Sequence, residues 1–444
     1  MPAPDDMNAR RLDAHGFLNV VSRAEFMALL TDFPALDQED APLAEALGRV
    51  LACDLPAPED LPQTARASMD GYAVSARDVF GATETNPAYV DLVADLRIDW
   101  AAGMPGGPAV RLAYGQAARI PTGGTLPEGA DAVVMVEHTE LLPGGDAGGG
   151  SGATIEVRKS AAPGENVLLP GEDVRQGESA LPRGRVLRAQ DVGLLAALGQ
   201  TVVRVGRRPV VGVVSTGDEL VPPNATPRPG QIRDVNSSAL CCLAAEAGAL
   251  PRAYGIVPDD LPRLAGTLAC ALAECDVVLL SGGSSIGARD HSVAAMLAQP
   301  GAEILAHGVA ISPGKPTILA RAEGGAAGQH GGKAILGLPG QVTSAQVVMT
   351  VLVKPFLRRL AGGEGTAAEP PFVAELARNI AGRPGREDFV RVRLEPRAGQ
   401  PPLAHPVLGK SGLLKTLLAA DGLVAVPATA EGLYKGAFAS VWPL

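Results

Sequence analysis

Three glycine-rich loops in the second half of the chain follow apolar runs and could bring backbone N–H groups close to a ligand. They are "STGDEL" (215–220) after "VVGVV", "SGGSSIG" (281–287) after "CDVVLL", and "GLPG" (337–340) at the end of "KAILGLPG". Glycine lets the backbone approach a bound group, and a helix N-terminus adds partial positive charge, so such loops suit phosphate. One such loop often only turns the chain, whereas three in one domain favour a phosphate-binding edge.

Four carboxylates accompany these loops: Asp218, Glu219, Asp259 and Asp290 stand at or just after the end of an apolar run. Bare carboxylates would repel a phosphate, but Mg²⁺ prefers oxygen ligands and can bridge carboxylates to phosphate oxygens. The pattern therefore predicts a phosphorylated ligand together with Mg²⁺, which Asp290 would help to hold. The alternative is structural: Asp218 caps a turn, and Asp259 and Asp290 cap the helices that follow them.

A constrained turn supplies a candidate cation. The segment "AISPGKPTILA" (310–320) contains Lys315 in a Pro-Gly-Lys-Pro turn. A lysine fixed in such a turn could meet an anion. The alternative is an exposed turn lysine without a ligand.

The elements that carry these loops alternate between apolar strands and helices over residues 207–362. Continuously apolar strands that alternate with helices predict a parallel sheet covered on both faces, which is a three-layer α/β domain. Ligands of such sheets bind beyond the carboxyl ends of the strands, near a switch in strand order. The glycine loops and the acids stand at these strand ends, so we expect the site there.

Three further regions surround this domain. Short β-prone pieces over residues 57–159 predict an inserted β-rich domain. Residues 1–56 and 160–206 are expected to form one helical linker domain that the insertion interrupts. Residues 363–444 predict a small C-terminal β-barrel. Helices of the linker domain are expected at "RAEFMALLTDF" (23–33), "APLAEALGRVLACDL" (41–55) and "ALPRGRVLRAQDVGLLAALGQ" (180–200).

The composition excludes several classes of protein. The 444 residues carry a formal net charge of −10, which disfavours a nucleic-acid surface because phosphate-backbone binding depends on clustered Lys and Arg. No segment reaches the roughly 18 uncharged apolar residues of a membrane span, and "MPAPDDMNARRLDAH" lacks an apolar signal region. We therefore expect a cytoplasmic protein that binds no membrane. The five cysteines fit no zinc spacing.

Further motifs occur along nearly the whole chain. In order they are "ASMDGYAV" (67–74), "PTGGTLPEGADAVVMVEH" (121–138), "GENV" with "GEDV" (164–174), "STGDEL", "GQIRDVNSSAL" (230–240), "SGGSSIGARDHS", "PGKPTILA" and "GLPG". Together and in this order they resemble the molybdopterin molybdenumtransferase family, the MoeA and gephyrin E-domain proteins. The resemblance implies that the α/β domain is of the molybdopterin-binding type and that four-domain subunits form a homodimer with a shared active site.

The same resemblance implies an activity. Family members transfer metal from molybdate to adenylylated molybdopterin, release AMP and require Mg²⁺. A pterin with a pyrophosphate-linked nucleotide would need glycine loops and carboxylate-held Mg²⁺, and molybdate, an oxyanion, would need nearby cations. A molybdopterin adenylyltransferase and molybdoenzymes are the implied candidate partners.

The resemblance also assigns functional residues position by position. Asp70 in "MDGYAV", Asp173 in "GEDV", Glu219, Asp259 and Asp290 match the family's functional acids, and the last three are the expected Mg²⁺ ligands. The family places the residue matching Asp70 in the cleft from the partner subunit. The matching basic or polar residues of the cleft are Lys315, Arg391 in "DFVRVRL" and Ser411 in "GKSGLL".

The remaining expected binding residues belong to the glycine loops and the Pro-Gly turns. Without the resemblance, Asp70 reads equally well as a plain Asp-Gly turn, and Arg391 as a solvated strand residue. The expected cofactor-binding residues are Ser215, Thr216, Gly217, Asp218, Ser281, Gly282, Gly283, Ser284, Ser285, Gly287, Pro313, Gly314, Pro339, Gly340 and Ser411.

Departures from the family pattern concentrate at the oxyanion end of the cleft. Ser312 and Gly308 stand where the family usually or often has lysine, Ala65 replaces an Asp, and "GQVTSA" (340–345) replaces "GNPVSA". His307 is a candidate substitute for the missing charge. We hypothesise a divergent paralogue with altered metal selectivity, with tungstate as one candidate.

Two other functions fit part of this pattern. One is a carrier that binds the pterin nucleotide or the molybdenum cofactor without catalysing insertion, which the missing lysines favour. The other is a nucleotidyltransferase that makes the adenylylated pterin, against which the inserted β domain and the C-terminal barrel speak.

Overall fold

The computed structural model describes residues 20–97, 110–142, 152–282, 291–323, 332–363 and 372–444. Within these ranges the chain divides into two compact units. Residues 20–53, 183–189 and 202–444 form the first, and residues 54–182 and 190–201 form the second. No helix in the described ranges is long and apolar enough to cross a bilayer. The four-domain division stays a prediction.

Helix α1, Arg23–Thr31, belongs to the first unit and confirms the helix predicted at residues 23–33, two residues shorter at its end. Ser22 and Glu25 form a capping box at its N-terminus, an arrangement that satisfies two otherwise free N–H groups. Strand β1, Gln38–Pro42, follows and pairs antiparallel with β12, Val202–Gly206.

The helix predicted over residues 41–55 was wrong. Its first residues belong to β1, and its backbone N–H groups bond to a distant segment: Gly48 N–H donates to the Leu187 carbonyl and Leu51 N–H to the Arg185 carbonyl. Gly48 adopts φ +74°, which also interrupts a helix. The tertiary partners therefore override the helical spacing.

The third linker helix is shorter than predicted. Only α2, Ala189–Ala197, is helical, because the preceding residues pair with the segment around Val50 and Leu51.

The second unit is built mainly of strands, as predicted for the insertion. Its six-stranded sheet has the order β7-β4-β6-β5-β9-β8, and the pairs β2–β11 and β3–β10 stand outside it. Buried residues such as Tyr72, Val90 and Ile155 form its core. The strands are β2 Leu55–Pro56, β3 Arg66–Ala67, β4 Gly71–Val74, β5 Ala88–Asp95, β6 Gln116–Ile120, β7 Ala132–Met135, β8 Thr139–Leu142, β9 Thr154–Val157, β10 Val167–Leu168 and β11 Ser179–Leu181.

A six-stranded α/β sheet forms the centre of the first unit, with the order β16-β13-β17-β21-β20-β18. The first four strands are parallel, as predicted. The last two were not predicted and add an antiparallel edge. In spatial order the strands are Leu250–Val257, Val210–Thr216, Val277–Ser281, Lys333–Leu338, Ile318–Ala322 and Glu303–His307.

Helices cover both faces of this sheet, which confirms the three-layer prediction. One buried cluster joins α1, α3 and the helices after β21 to one face, and a second joins α4 and α5 to the other. A π-helical turn, Met349–Val353, precedes Pro355 in α7. Pro355 lacks the backbone N–H that a regular α-helix would use there. The helices are α3 Asn236–Glu246, α4 Leu261–Glu274, α5 Ser292–Leu297, α6 Val342–Val348 and α7 Lys354–Leu360.

The C-terminal strands form the predicted barrel. Strands β24, β25, β22, β28 and β26 pair in sequence, and β26 pairs back to β24. Strand β19, Ile311–Ser312, leaves the α/β domain and pairs with the start of β24. The remaining elements are β14 Leu220–Val221, β15 Ile232–Arg233, β22 Phe372–Leu376, β23 Ile380–Ala381, β24 Glu387–Arg397, β25 Gln400–Pro406, β26 Gly422–Val426, β27 Gly432–Leu433, β28 Phe438–Pro443 and helix α8 Lys415–Leu418.

Candidate functional site

Two of the predicted glycine loops leave neighbouring strands of the α/β sheet. Strand β13 ends at Thr216 and β17 ends at Ser281, and the two strands are paired in parallel. The chain runs from β13 to β16 on one side and later returns to β17 on the other, so the strand order reverses beside β13. This is the place where an open α/β sheet forms a ligand-binding crevice.

The ends of the strands are packed too closely for larger side chains. Gly282 has φ +104°, and a Cβ atom there would lie 2.2 Å from the Thr216 carbonyl oxygen. The Gly282 Cα lies 3.6 Å from the position that a Cβ of Gly340 would take. Glycine is therefore required at 282, and the three loops meet at one floor.

A cavity of about 790 Å³ opens above this floor. Most of the predicted cofactor-binding residues that the structure describes line it, together with two of the predicted metal ligands. The expected residues among its lining are Ser215, Thr216, Gly217, Glu219, Asp259, Ser281, Gly282, Pro339 and Gly340.

The acids of this cavity are oriented by neighbouring groups. The Thr216 hydroxyl donates a hydrogen bond of 2.7 Å to Asp259 Oδ1, and the Asp259 N–H donates one of 3.1 Å to Asp218 Oδ1. Asp218 is not among the described residues that line the cavity. Its position therefore fits the alternative role, in which Asp218 caps a turn. Helix α4 is capped by Asp260, whose side chain accepts from Arg263 N–H, which leaves Asp259 for the cavity.

Glu219 also lines this cavity. Its carboxylate lies against Gly217, such that a Cβ at Gly217 would come 2.8 Å from Glu219 Oε2. No cluster of three or more possible metal-ligating acids, histidines or cysteines occurs in the part of the chain that the structure describes. Mg²⁺ is commonly held by one or two carboxylates plus substrate phosphates and water, so Glu219 and Asp259 fit such an ion.

Some predicted site residues lie outside the described residues. They are Gly283, Ser284, Ser285, Gly287 and Asp290.

Two buried residues of the cavity were not singled out from the sequence. Asp234 is 5% exposed and accepts from the Ser215 hydroxyl and from Ser237 N–H. Asn236 is 7% exposed, and its Nδ2 donates to Ser281 Oγ at 2.7 Å and to the Gly340 carbonyl at 2.9 Å. Asn236 thus connects α3 to the ends of β17 and β21. The motif "GQIRDVNSSAL" contains both residues, and two polar residues at the start of a helix are the signal that could have marked them.

The Pro-Gly-Lys-Pro turn connects the α/β domain to the barrel. Gly314 has φ +124°, and a Cβ there would lie 2.7 Å from Val348 Cγ2. Lys315 is half-buried, and its carbonyl oxygen accepts from Val309 N–H. Pro316 lines the large cavity, whereas Ser312 and Pro313 line a second one.

This second cavity, of about 290 Å³, contains the predicted residues Arg391 and Ser411 and is called the arginine cavity. Its charged lining residues are Arg383, Arg386, Arg391 and Asp388. Arg391 Nη2 donates to the Gly409 carbonyl at 2.8 Å, while its buried Nη1 has no hydrogen-bond partner. Burial lowers the pKa of Arg391, so it is not a freely solvated strand residue.

The two cavities are adjacent in sequence and in structure. Ser411 lines the arginine cavity and Gly412 lines the large one. The Ser411 carbonyl accepts from Thr343 N–H in the first turns of α6, which ties this barrel loop to the sheet domain. His307 pairs with Ile318 in the β18–β20 ladder and is not among the residues that line the arginine cavity.

Asp70 and Asp173 belong to the second unit. Asp70 Oδ1 accepts hydrogen bonds from Thr122 N–H at 2.6 Å and from the Thr122 hydroxyl at 2.8 Å. These bonds lower the pKa of the Asp70 carboxyl. Asp173 is exposed, and its N–H donates to the Leu61 carbonyl.

Three family models match the chain in order. They are described as MoeA N-terminal region (domain I and II) over residues 21–199, Probable molybdopterin binding domain over 212–359, and MoeA C-terminal region (domain IV) over 373–444. Together they span both structural units and every part of the site described above.

Whole-chain relatives agree with these models. A molybdopterin molybdenumtransferase from Nostoc is 36% identical over 77% of this chain and 74% of its own length. Molybdopterin molybdenumtransferase 2 from Mycobacterium tuberculosis is 33% identical over 91% of this chain and 94% of its own. The crystal structure of a molybdopterin biosynthesis MoeA protein from Pyrococcus horikoshii superposes with a TM-score of 0.75 at 31% identity, covering 96% of this chain and all of that one. This chain therefore belongs to the MoeA family.

Proposed function

We propose that this chain inserts the metal of molybdate into adenylylated molybdopterin in a Mg²⁺-dependent reaction that releases AMP. It is an enzyme of the molybdopterin molybdenumtransferase class and acts in molybdenum cofactor biosynthesis. The proposal of Mg²⁺-dependent metal insertion with AMP release rests on a pair of adjacent cavities. One is lined by glycine loops and carboxylates, and the other by arginines.

The large cavity suits the pterin nucleotide. Its floor is made of the strand ends at Thr216 and Ser281 and of Gly340 after the end of β21, where backbone groups would come close to a bound phosphate. Its volume of about 790 Å³ is in the range of small-molecule sites. Glu219 and Asp259, with Asp290, would hold Mg²⁺ against the diphosphate, and the bound ion would neutralise the charge that develops there.

The arginine cavity suits the oxyanion. Arg391 has an unpartnered buried Nη1 that can donate to an anionic oxygen, and the Ser312 and Ser411 hydroxyls line the same space. Because Ser411 and Gly412 are adjacent, an oxyanion there would be next to a ligand of the large cavity. Such placement supplies proximity, which is the main contribution required of the protein.

The chemistry needs no covalent protein intermediate. The two thiol groups of the pterin displace one oxo group of the oxyanion, which leaves as water with their two protons. Water cleaves the phosphoanhydride bond, and AMP leaves with one phosphate while the other stays on the pterin. The chain's own residues orient both reactants and counter their negative charge.

We further propose that the active unit is a homodimer in which Asp70 of one subunit completes the site of the other. This follows from the match of "MDGYAV" to the family motif. The hydrogen bonds from Thr122 keep the Asp70 carboxyl ionised and in one orientation, as a residue that contacts a ligand or its metal requires.

The test is AMP release from adenylylated molybdopterin upon addition of molybdate, with and without Mg²⁺. We expect release by the wild-type chain and a loss of at least about 100-fold in Glu219→Gln and Asp259→Asn. Tight binding of the pterin nucleotide without AMP release would instead identify a carrier. Growth of a strain that lacks its own molybdenumtransferase, dependent on Glu219 and Asp290, would support the proposal in cells.

A further inference from the structure

We propose that Arg386 is a second cationic ligand of the oxyanion, beside Arg391, and that Asp388 holds its guanidinium in place. This proposal rests on the oxyanion site proposed above. It assigns a function to a residue on the turn between β23 and β24.

The charge of the arginine cavity calls for an anion. Three arginines line it, Arg383, Arg386 and Arg391, and Asp388 is the only acidic residue among its lining residues that the structure describes. Formally two positive charges remain after Asp388 is counted. Like charges gathered in a partly buried space repel one another, so a dianion that enters relieves this repulsion.

Asp388 is already occupied by contacts that orient the turn. It is 7% exposed, its Oδ1 lies 2.9 Å from Arg386 Nη2, and its Oδ2 accepts from Arg383 N–H at 2.9 Å. A buried carboxylate with both oxygens in use acts as an anchor for a guanidinium rather than as a metal ligand. One edge of the Arg386 guanidinium is therefore fixed, and the group retains further donors for a second anion.

Arg386 and Arg383 differ in how they are held. Arg386 is half-buried, and its Nε is buried without a hydrogen-bond partner. The Arg383 side chain is exposed, and only its backbone N–H contacts Asp388. A pre-organised guanidinium loses less freedom when it binds, so we assign the oxyanion contact to Arg386 and not to Arg383.

The position of Ser312 also supports the assignment of the oxyanion contact to Arg386. Ser312 is in register with Asp388 in the parallel pairing of β19 with β24, and both residues line the arginine cavity. A lysine at position 312 would start from the strand position beside Asp388 and could extend its ammonium into the same space. Arg386 and a lysine at position 312 could therefore each place one positive charge in this cavity.

The experiment measures binding of molybdate alone and of tungstate alone to the full chain by titration calorimetry. We expect Arg386→Gln to weaken binding by about 10-fold or more, which is the loss of one charge-assisted hydrogen bond. Arg386→Lys should recover part of this loss. Ser312→Lys added to Arg386→Gln should restore the affinity to within about 3-fold of wild type.

Arg383→Gln is the comparison variant, because it removes an arginine of the same turn whose side chain is exposed and to which we assign no contact with the oxyanion. It should change the affinity less than about 3-fold. An equal loss in Arg383→Gln would show that only the summed charge of the turn matters and would overturn the assignment to Arg386. Thermal unfolding of every variant checks that the barrel is intact.

The other outcomes separate this inference from the proposed function. Wild-type binding in Arg386→Gln combined with lost binding in Arg391→Gln would refute the role of Arg386 but would leave the proposed oxyanion site intact. Wild-type binding in both variants would refute the arginine cavity as the oxyanion site. Failure of Ser312→Lys to restore binding in a folded Arg386→Gln chain would refute the shared-charge geometry.

Discussion

The Thr216 hydroxyl donates a 2.7 Å hydrogen bond to Asp259 Oδ1, across the ends of two neighbouring parallel strands. Thr216 is the last residue of β13 and Asp259 follows the end of β16. A carboxylate held by a fixed donor keeps one orientation, which a metal ligand requires. The bond therefore connects the order of the strands directly to the proposed Mg²⁺ site.

Replacing Thr216 by valine should weaken the use of Mg²⁺. Valine keeps the shape of the side chain but removes the donor, and loss of a group that orients a metal ligand typically costs 10- to 100-fold in metal affinity. We expect the Mg²⁺ concentration for half-maximal AMP release to rise by about 10-fold. Thr267→Val is the control, because the Thr267 hydroxyl only bonds to the Arg263 carbonyl within α4. An unchanged Mg²⁺ dependence in Thr216→Val would exclude this orienting role.

Gly282→Ala should disrupt the floor of the large cavity. The added Cβ would meet the Thr216 carbonyl at 2.2 Å in a backbone with φ +104°, so either β17 or β13 must move. The control Gly230→Ala also has a positive φ, +89°, but its Cβ would meet nothing within 4 Å. We expect Gly230→Ala to cost about 1 kcal/mol of unfolding free energy and Gly282→Ala several kcal/mol. Denaturant unfolding and pterin-nucleotide binding measure both, and equal costs would contradict the close approach.

Thr122→Val should raise the pKa of Asp70 towards its ordinary value. In the wild-type chain the Thr122 N–H and hydroxyl lower that pKa, and the variant loses the hydroxyl. A depressed pKa contributes stability that is present above the unfolded-state pKa, about 3.9, and is lost as the pH falls through the folded-state pKa. The effect of the substitution on stability should therefore be constant near pH 7 and fade below about pH 4.

The Asp70 titration can be followed by carboxyl ¹³C chemical shifts. Thr139→Val is the control, because the Thr139 hydroxyl bonds only to the Val136 carbonyl. An identical Asp70 titration curve in Thr122→Val would show that the backbone N–H alone sets the pKa.

Mixed dimers should test whether Asp70 acts across the subunit boundary. Asp70→Asn and Glu219→Gln should each be inactive as pure chains. When the two variants are mixed under conditions that exchange subunits, one site of each mixed dimer contains both wild-type acids, so AMP release should return to about a quarter of the wild-type rate at equal amounts. Mixing Glu219→Gln with Asp259→Asn is the control. Both residues line one cavity of one chain, and this pair should stay inactive if Asp70 but neither of the others acts in trans.

Local sequence patterns predicted most of the α/β domain and the barrel. The apolar run "CDVVLL" forms β17, as predicted. The helical spacing of the apolar residues in α4 matches its buried side, which consists of Leu264, Leu268, Ala271 and Leu272. The helix over residues 41–55 was wrong because its N–H groups bond to residues 185–187, which no local window contains. Strands β18 and β20 were missed because their pairing with each other and with β21 is also non-local.

In the candidate site, too, local patterns predicted some residues, while those defined by contacts with distant segments were missed. Glycine loops, acids and the MoeA motifs predicted Thr216, Gly282, Glu219 and Asp259 as site residues, because these residue types suit a phosphate and a hard cation near a backbone. The structure brings the four to one cavity, and their roles stay a prediction. Asn236 and Arg386 were not singled out from the sequence. Asn236 bonds to Ser281, 45 residues away, and Arg386 shares a cavity with Ser312 only in the folded chain.

The sequence alone thus determined which chemical groups the chain carries, the order of most elements of the α/β domain and the barrel, and its family. Only the tertiary structure decided which of those groups share a cavity, because strand order and pairing between distant segments arise from packing of the whole core and not from neighbouring residues. That packing places Ser411 next to Gly412 of the large cavity. It also places Ser312 beside Asp388 in the arginine cavity, which Arg386 lines as well.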